Sequence, residues 1–332
     1  MMNMKLIRAF LTLLLLAAGL QTGWAQERVA FAGGWVQFAT LEQARAELTR
    51  ADEWTATAGD FQRANALGLD KTPDRESFRL GLAKVAQAWT PERIQRWRQA
   101  LAIIAPRFEA LHVRLPNTVT LVSTDGSEEG NAAYTRGQAV FIPQRHSSRQ
   151  SDSEFLAHEL FHILSRSDPE LADRIYALIG FVPAEPLEWP AAWAAQRISN
   201  PDAPHHRHVM WIEARSQRIA VMPVLAVSRT NLKPGETFFS VLDIRLLAVK
   251  PGAKGQPTLP VLRDGEPLWW HAQTVRPYLD KLGGNTGYIL HPEEVAADNF
   301  ALLVSDRTVP NPQLLESIRK VLLERHPSPS TR

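Results

Sequence analysis

Two histidines and a glutamate at metal-site spacing are the residues of this chain whose types could do chemistry. They are His158, Glu159 and His162, in the pattern His-Glu-x-x-His. Positions four apart share one face of a helix, so both imidazoles could bind one Zn²⁺ while Glu159 faces a water in the coordination sphere. The pattern therefore predicts a hydrolytic zinc site. Taken alone, it also fits an ordinary helix whose polar groups face water.

The surrounding residues favour the metal site. Between Leu156 and Leu164 the helix is apolar nearly all round, so we expect it to be buried. A buried polar group without a partner costs about 1–3 kcal/mol, and one metal ion would supply a partner for both imidazoles. The chain has no cysteine, so any metal ligands must be His, Asp or Glu, and disulfides are excluded.

A catalytic zinc takes three protein ligands and leaves one position for water, so the chain should supply one more ligand. Our preferred candidate is Glu294. Pro292 opens a helix in which Glu294 and Asp298 are four positions apart on one face. Glu294 could bind the metal while Asp298 accepts the free ring N–H of His158. Acids in a first turn also complement the helix dipole, which is a simpler explanation for Glu293 and Glu294.

Three alternatives to Glu294 remain open at this point. Glu293 is the neighbouring acid in the same turn. Asp168 follows His158 by ten residues, but it also suits the N-cap of the next helix. The third alternative is a basic loop that contains three histidines, for which a solvated loop is the better explanation. These are His205, His206 and His208.

The two motifs together resemble the gluzincin group of metallopeptidases, to which thermolysin belongs. The residues that carry the resemblance are His158-Glu-Leu-Phe-His162 and, much later, Glu294-xxx-Asp298. Asn131-Ala-Ala-Tyr134 is similar to the edge strand along which such enzymes bind an extended peptide. Two departures stand out: the gap between the motifs is far longer than in thermolysin, and Glu293 stands where that family has asparagine.

The resemblance implies a zinc site, a general base, a second carboxylate behind one ligand, and a substrate-binding strand. The residues in these roles are the ligands His158, His162 and Glu294, the base Glu159, the supporting Asp298, and the strand residues Asn131, Ala132 and Tyr134.

These expectations describe a zinc-dependent peptidase. Glu159 would take a proton from the attacking water and pass it to the leaving amine. Tyr288 and His291 are candidate donors to the carbonyl oxygen as negative charge develops on it. Core packing is the alternative for Tyr288, and capping of its helix is the alternative for His291. The rival function is an exported, non-catalytic binding protein whose zinc helix is structural or vestigial.

The elements that would position these residues indicate an α+β fold. We expect a zincin-like core, made of a small sheet plus the active-site helix, with an N-terminal helical region and an inserted β subdomain. The hydrophobic period changes from about 3.6 to 2 after Pro116, and β-type runs at 218–227 and 237–249 mark the insertion. The predicted segments are a helical region at 26–115, the core at 116–200, the inserted β subdomain at 201–271, and a C-terminal helical region with the third ligand at 272–332.

Residues 1–25 have the pattern of a secretory signal peptide. Lys5 and Arg8 precede an apolar run at 9–20, and small residues follow at 23–25. We therefore expect an exported protein, periplasmic or secreted, and no later segment is apolar enough to span a membrane. A formal net charge of +2 gives no reason to expect nucleic acid. The expected partner is a peptide or protein substrate, and the β insertion could bind a further protein.

Overall fold

The computed structural model of the protein describes residues 27–147, 150–214, 217–233 and 236–324. The predicted signal peptide at 1–25 lies outside these ranges. Helices and strands both contribute to the core, so the prediction of an α+β fold is confirmed. Among the described residues, the helices are all too short or too polar to cross a membrane.

The strands of the described residues form two large sheets and one small two-stranded sheet. In chain order they are β1 (Arg28–Phe31), β2 (Gly34–Phe38), β3 (Ala86–Gln87), β4 (Thr118–Thr124), β5 (Tyr134–Arg136), β6 (Ala139–Pro143), β7 (Phe181–Pro183), β8 (His208–Ala214), β9 (Gln217–Val227), β10 (Leu242–Lys250), β11 (Leu259–Pro260), β12 (Leu262–Arg263), β13 (Glu266–Pro267) and β14 (Trp269–His271).

The α-helices of the described residues fall before, between and after the two large sheets. They are α1 (Leu41–Leu48), α2 (Glu53–Thr57), α3 (Asp60–Ala66), α4 (Arg75–Gly81), α5 (Pro91–Ala110), α6 (Asp152–Ser167), α7 (Pro169–Leu178), α8 (Arg276–Lys281), α9 (Pro292–Val304) and α10 (Pro312–Glu324).

The first sheet has the order β1-β2-β4-β6-β5, with β3 paired to the end of β4. Strands β2, β4 and β6 run parallel, whereas β5 is antiparallel to β6 and forms one edge. The chain leaves β6 and enters α6, which carries the His-Glu-x-x-His motif. In the chain, the last strand of the first sheet is therefore followed directly by the motif helix.

An aromatic cluster joins three helices over this sheet. Phe300 of α9 lies 5.4 Å, between ring centroids, from Phe108 of α5 and from Phe161 of α6. All three rings are buried in the main hydrophobic core. Since buried aromatic rings contribute large apolar areas, this cluster fixes α9 against α6 and sets the separation of the two motifs.

The second sheet is antiparallel, with the order β11-β10-β9-β8-β7 and β14 beside β10. One face contributes Met210, Ile212 and Val221 to the main core. The other face packs against Trp193 and other buried residues in a separate cluster. Because one face shares the main core, the predicted β insertion packs against the rest of the molecule through that face.

Two parts of the architecture differ from the sequence analysis. The region predicted as helical from residue 26 begins with the β1–β2 hairpin, which extends the first sheet. Its turn places Ala32 and Gly33 at φ of 50° and 87°, the backbone that a two-residue hairpin requires. The second sheet begins at β7, before the insertion predicted at residue 201. Strands β1, β2 and β7 have only three to five residues each, so periodicity gave little signal for them.

Candidate metal centre

Helix α6 buries the His-Glu-x-x-His motif in the middle of the molecule. A capping box starts the helix: Ser151 accepts from the Glu154 N–H, and the Glu154 carboxylate accepts from the Ser151 N–H. His158, Glu159 and His162 are 5%, 4% and 0% exposed. The expected burial of this helix is therefore confirmed, and its polar side chains require partners.

Helix α9 brings a carboxylate to both imidazoles. Glu294 Oε2 lies 3.2 Å from His158 Nε2 and 3.9 Å from His162 Nε2. One ligand atom from each of the three residues falls within 4.8 Å of the others, and all three residues are buried. His158, His162 and Glu294 could therefore hold a metal ion.

The hydrogen bonds of His162 leave one ring nitrogen for a cation. Nδ1 lies 2.7 Å from Glu293 Oε1. Burial raises the pKa of Glu293, but the contact with His162 outweighs burial and lowers that pKa, so the carboxylate is ionised and can only accept. Nδ1 therefore donates its proton to Glu293, and in the neutral imidazole Nε2 carries the lone pair. That Nε2 atom is buried without a hydrogen-bond partner, as expected of a metal ligand.

Glu293 is held by a network of its own. Ser165 Oγ donates to Glu293 Oε1 at 2.7 Å, and the Tyr176 hydroxyl donates to Glu293 Oε2. The Glu293 carboxylate thus binds His162 Nδ1, whereas Glu294 faces the other ring nitrogen, Nε2. The sequence analysis left Glu293 open as an alternative metal ligand, but the structure places it behind the histidine, where it fixes the ring.

Asp298 lies on the corresponding side of the other histidine. Its Oδ1 atom is 3.8 Å from His158 Nδ1, which is longer than a hydrogen bond, and Gln150 Nε2 donates to the same oxygen at 2.6 Å. The structure therefore brings the predicted pair together without closing the hydrogen bond between them.

Glu159, the expected general base, is oriented by the edge strand. Thr135 Oγ1, on β5, donates to Glu159 Oε2 at 2.7 Å. The carboxylate keeps its second oxygen for another partner. Since β5 also forms one side of the cleft described below, Glu159 lies between the histidines and the edge of the first sheet.

Acidic side chains outnumber the imidazoles at this centre. Burial lowers the pKa of His158, but Asp298 and Glu294 outweigh burial and raise that pKa well above its usual value. Burial likewise raises the pKa of Glu294, yet contacts with His158 and His162 outweigh it and lower that pKa to about 2. Both pKa shifts have the same physical cause: positive charge on the imidazoles is attracted by the carboxylates around them. A divalent cation would supply that charge directly.

Sequence reasoning missed two residues of the centre, on the loop formed by residues 199–204. Asn200 Nδ2 donates to Glu294 Oε1 at 2.6 Å. Asp202 Oδ1 lies 3.8 Å from His162 Nε2, and Glu159, His162 and Asp202 form a second group that could hold a metal ion. The only sequence signal was the chain break Asn-Pro-Asp-Ala-Pro, which predicts a loop and nothing about its position.

A cleft of about 330 Å³ opens onto the centre. One side is the approach to β5, one side is the 199–204 loop, and the second sheet supplies an apolar wall. The apolar residues of this wall and its surroundings are Phe155, Ile198, Leu225, Phe238, Phe239, Leu242 and Leu290. The second sheet therefore contributes directly to the surface that a ligand of this site would meet.

The predicted substrate-binding residues divide into two kinds. Asn131 and Ala132 line the cleft, and β5, which follows them, is an edge strand of the first sheet. Tyr134 contributes its backbone to that strand, but its ring is 1% exposed and stacks on Phe141, and its hydroxyl donates to Glu128. The side chain of Tyr134 thus belongs to the core.

The two residues predicted to donate to the substrate carbonyl oxygen, Tyr288 and His291, lie in different places. Tyr288 lines the cleft, is 38% exposed, and has its ring centroid 5.5 Å from that of His158. His291 is not brought to the cleft. Its Nδ1 accepts from the Glu293 N–H and caps α9, and its Nε2 lies 2.9 Å from the His205 carbonyl oxygen. Both ring nitrogens are occupied, so the expected donor role of His291 is replaced by capping.

The remaining alternatives for the third ligand lie away from the centre. Asp168 caps α7 by accepting from the Leu171 N–H. In the histidine-rich loop, His205 is paired with Glu53, and His208 Nε2 lies 2.7 Å from Asp173 Oδ1. The ring of His206 lies 5.9 Å from that of His291 and not at the motif helix. Structural roles therefore account for Asp168, His205 and His208.

Comparison with known proteins gives one partial match. Residues 121–170 match the family model described as eCIS core domain. No curated protein and no solved structure matches the chain. The matched segment runs from β4 into the first turn of α7 and includes the whole of α6. The chain is thus similar to this family over the metal-site helix and the strands before it, and Glu294 lies outside the match.

Proposed function

We propose that the protein is an exported, zinc-dependent metallopeptidase. The observation that carries the proposal is the convergence of Glu294 with two imidazoles, one of which has a buried, unpartnered Nε2, beside the carboxylate of Glu159. Two histidines and a glutamate form a known catalytic zinc ligand set, which leaves a position for water. Export rests on the signal-peptide pattern at 1–25.

The ligand residues suit zinc by their chemistry. Neutral imidazole nitrogens and one carboxylate match the ligand preferences of Zn²⁺. The chain has no cysteine, so thiolate ligands are excluded. Bound zinc would polarise the peptide carbonyl and lower the pKa of a water toward about 7. The protein would hold the metal through His158, His162 and Glu294, while Glu293 fixes the tautomer of His162.

Glu159 supplies the proton transfers. It accepts a proton from the water that attacks the carbonyl carbon, then delivers a proton to the departing amine as the C–N bond breaks. Thr135 keeps the carboxylate in place through its 2.7 Å hydrogen bond. Tyr288, at the cleft and near His158, donates to the carbonyl oxygen as charge develops there.

The edge of the first sheet would bind the substrate backbone. Strand β5 is paired on one side only, and outward backbone groups alternate along an antiparallel strand. The outward N–H and carbonyl groups of Thr135 already contact Asp202 and Arg166. The next outward N–H and carbonyl groups along the chain are those of Ala133, which lines the cleft. An extended peptide could add to the strand at Ala133.

The decisive variant is Glu159→Gln, which keeps the size of the side chain and removes the base. We expect it to bind zinc stoichiometrically and melt like the wild type, but to lose peptide hydrolysis by a factor of about 10²–10⁴. Hydrolysis is measured on a mixed peptide library by mass spectrometry. Glu170→Gln, an exposed acid on α7, is the matched control and should retain activity.

Two results would separate this proposal from a non-catalytic binding protein. Equal cleavage rates for zinc-loaded wild type and Glu159→Gln would rule out the assigned base. Stoichiometric zinc without any cleavage by the wild type would instead favour the binding protein with a structural or vestigial zinc helix.

A further inference from the structure

The edge strand β5 is already paired at the place where it passes the metal centre. The Thr135 N–H donates to Asp202 Oδ1 at 2.5 Å, and the Thr135 carbonyl oxygen accepts from Arg166 at 3.3 Å. The Thr135 side chain donates to Glu159, the proposed base. A peptide that adds to the strand needs these backbone groups, so its pairing ends before Thr135. The 199–204 loop, which carries Asp202, thus forms a closed end of the cleft beside the base.

Hydrogen bonds at both ends hold the 199–204 loop in this position. At its start, the Gln62 side chain donates to the Ser199 carbonyl oxygen and accepts from the Ser199 N–H, each at 2.9 Å. At the other end, Arg166 donates to the Asp202 carbonyl oxygen at 2.7 Å. Because the loop belongs to the folded core, an extended substrate chain must end in front of it.

The direction of strand pairing decides which end of a peptide meets the loop. Strand β5 runs from Tyr134 to Arg136, so the closed end lies toward its carboxyl end, beyond Ala133. A peptide that pairs antiparallel to β5 has its amino terminus on that side. Antiparallel pairing is roughly two to three times as common as parallel pairing, and β5 already pairs in that way with β6. An antiparallel peptide that ends at the loop therefore presents its amino terminus to Asp202.

The charges at the closed end suit an amino terminus. Asp202 and Glu129 both line the cleft, and Glu129 is 8% exposed. Gln62 Nε2 donates to Glu129 Oε1 at 3.0 Å as well as to the Ser199 carbonyl oxygen, so Glu129 lies against the 199–204 loop. Burial is the main cause that raises the pKa of Glu129, and repulsion from neighbouring acids, Asp202 among them, adds to it. An ammonium group bound here would offset that repulsion.

A peptide carboxylate has no matching partner at the closed end. Among the described residues, the lining of the cleft includes no lysine or arginine. Arg166, which contacts the loop, donates to the backbone carbonyl oxygens of Thr135, Gly137 and Asp202 and does not line the cleft. Charge and strand direction therefore both favour the amino terminus.

We propose that the closed end of the cleft binds the free amino terminus of a peptide through the carboxylates of Asp202 and Glu129. The inference rests on the proposed peptidase function and makes the protein an aminopeptidase. Asp202 Oδ1 lies 3.8 Å from His162 Nε2, and one residue of extended chain spans about 3.3–3.6 Å. An ammonium group bound at Asp202 therefore places the first peptide bond of the substrate at the metal centre.

The reaction then removes one amino acid at a time. Water adds to the carbonyl carbon of the first residue, and Glu159 transfers a proton from that water to the nitrogen of the second residue as the C–N bond between them breaks. The products are a free amino acid and a peptide shortened by one residue, which carries a new amino terminus.

Peptide binding tests the amine site separately from catalysis, because zinc-loaded Glu159→Gln should bind peptides without cleaving them. The probes are an alanine tetrapeptide and the same peptide with a propionyl group as its first unit, which lacks only the amino group. Their affinities are compared by calorimetry. We expect loss of the amino group to weaken binding by about 10–100-fold, since it removes a charge that meets buried carboxylates.

Two variants, each made in the Glu159→Gln protein, test the assigned acids. Asp202→Asn keeps an oxygen that can accept from the Thr135 N–H, and Glu129→Gln keeps an acceptor for the Gln62 amide. We expect each to remove most of the preference for the free amine. Asp280→Asn, an exposed acid on α8, is the matched control and should keep the preference.

The comparison of the two peptides decides the inference without any change at the closed end. Equal affinities for them would overturn the amine site, and a preference that survives both Asp202→Asn and Glu129→Gln would overturn the assignment of these acids. In the wild type, we expect hydrolysis to release amino acids from the amino end only, so cleavage of the propionyl peptide at a comparable rate would also overturn the inference. A protein that prefers the free amine but cleaves no peptide would confirm the amine site and contradict the peptidase.

Discussion

At the scale of the residue, two adjacent glutamates on one helix turn have different tasks. Glu294 faces the histidines that could hold the metal, whereas Glu293 binds His162 Nδ1. Consecutive helical positions point about 100° apart, so only the rotation of α9 against α6 decides which acid faces the ion. The sequence predicts that one acid of this turn is a ligand, but the choice depends on packing between residues more than a hundred positions apart.

A variant of Glu293 therefore tests whether its contact with His162 Nδ1 strengthens that histidine as a metal ligand. In Glu293→Gln the amide oxygen can still accept from His162 Nδ1, but the negative charge that strengthens the imidazole as a ligand is lost. We expect zinc affinity to fall by about 10–100-fold, measured by competition with a chromophoric chelator. Glu316→Gln, an exposed acid on α10, should leave the affinity unchanged. Unaltered affinity in Glu293→Gln would show that the carboxylate does not tune His162.

At the scale of the element, the motif helix was the most predictable part of the site. Its apolar periphery, its buried motif and its position after two strands all follow from the sequence, and α9 follows from Pro292 and its apolar residues. The 199–204 loop could not be predicted, because a loop sequence specifies a chain reversal and not what the loop will contact. Asp202 and Asn200 were missed for this reason.

The docking of α9 on α6 depends on the aromatic cluster around Phe300. Replacing it by alanine removes a fully buried ring that contacts Phe108 and Phe161. We expect Phe300→Ala to lower the free energy of unfolding by about 3–5 kcal/mol, measured by urea denaturation of the metal-free protein. Phe239→Ala is the matched control: that ring is 47% exposed at the cleft and should cost much less. Similar losses for the two variants would contradict a special role for the cluster.

At the scale of the whole molecule, the second sheet is part of the site and not an appendage. One face joins the main core, and residues from β9, β10 and the turn before β10 line the cleft. The sequence predicted β structure in this region but did not predict that it would contact the core. Such contacts join residues far apart along the chain. An architecture in which helices, loop and two sheets all meet at one centre makes the stability of the molecule sensitive to buried charge there.

Glu129, which lines the cleft, is a buried carboxyl group at which such a charge would form. Burial is the main cause that raises its pKa to about 8; hydrogen bonding from Gln62 opposes the shift, and nearby Glu128 adds to it. In the unfolded chain a glutamate loses its proton near its usual pKa of about 4.3. Between these values the folded state binds more protons than the unfolded state, so stability falls as the pH rises. The contribution is fully present below about pH 4 and is lost as the pH passes through about 8.

We therefore expect the free energy of unfolding of the wild type to decline from pH 5 to pH 8, by up to about 1.4 kcal/mol per pH unit from this group. Glu129→Gln keeps an acceptor for the Gln62 amide and cannot ionise, so its decline should be shallower and its stability at pH 8.5 higher. Glu109→Gln, an exposed acid on α5, should follow the wild-type curve. The measurement is urea denaturation of the metal-free protein across this range. Parallel curves for wild type and Glu129→Gln would show that Glu129 ionises in the folded state as it does in the unfolded chain, because only a difference in proton binding can separate them.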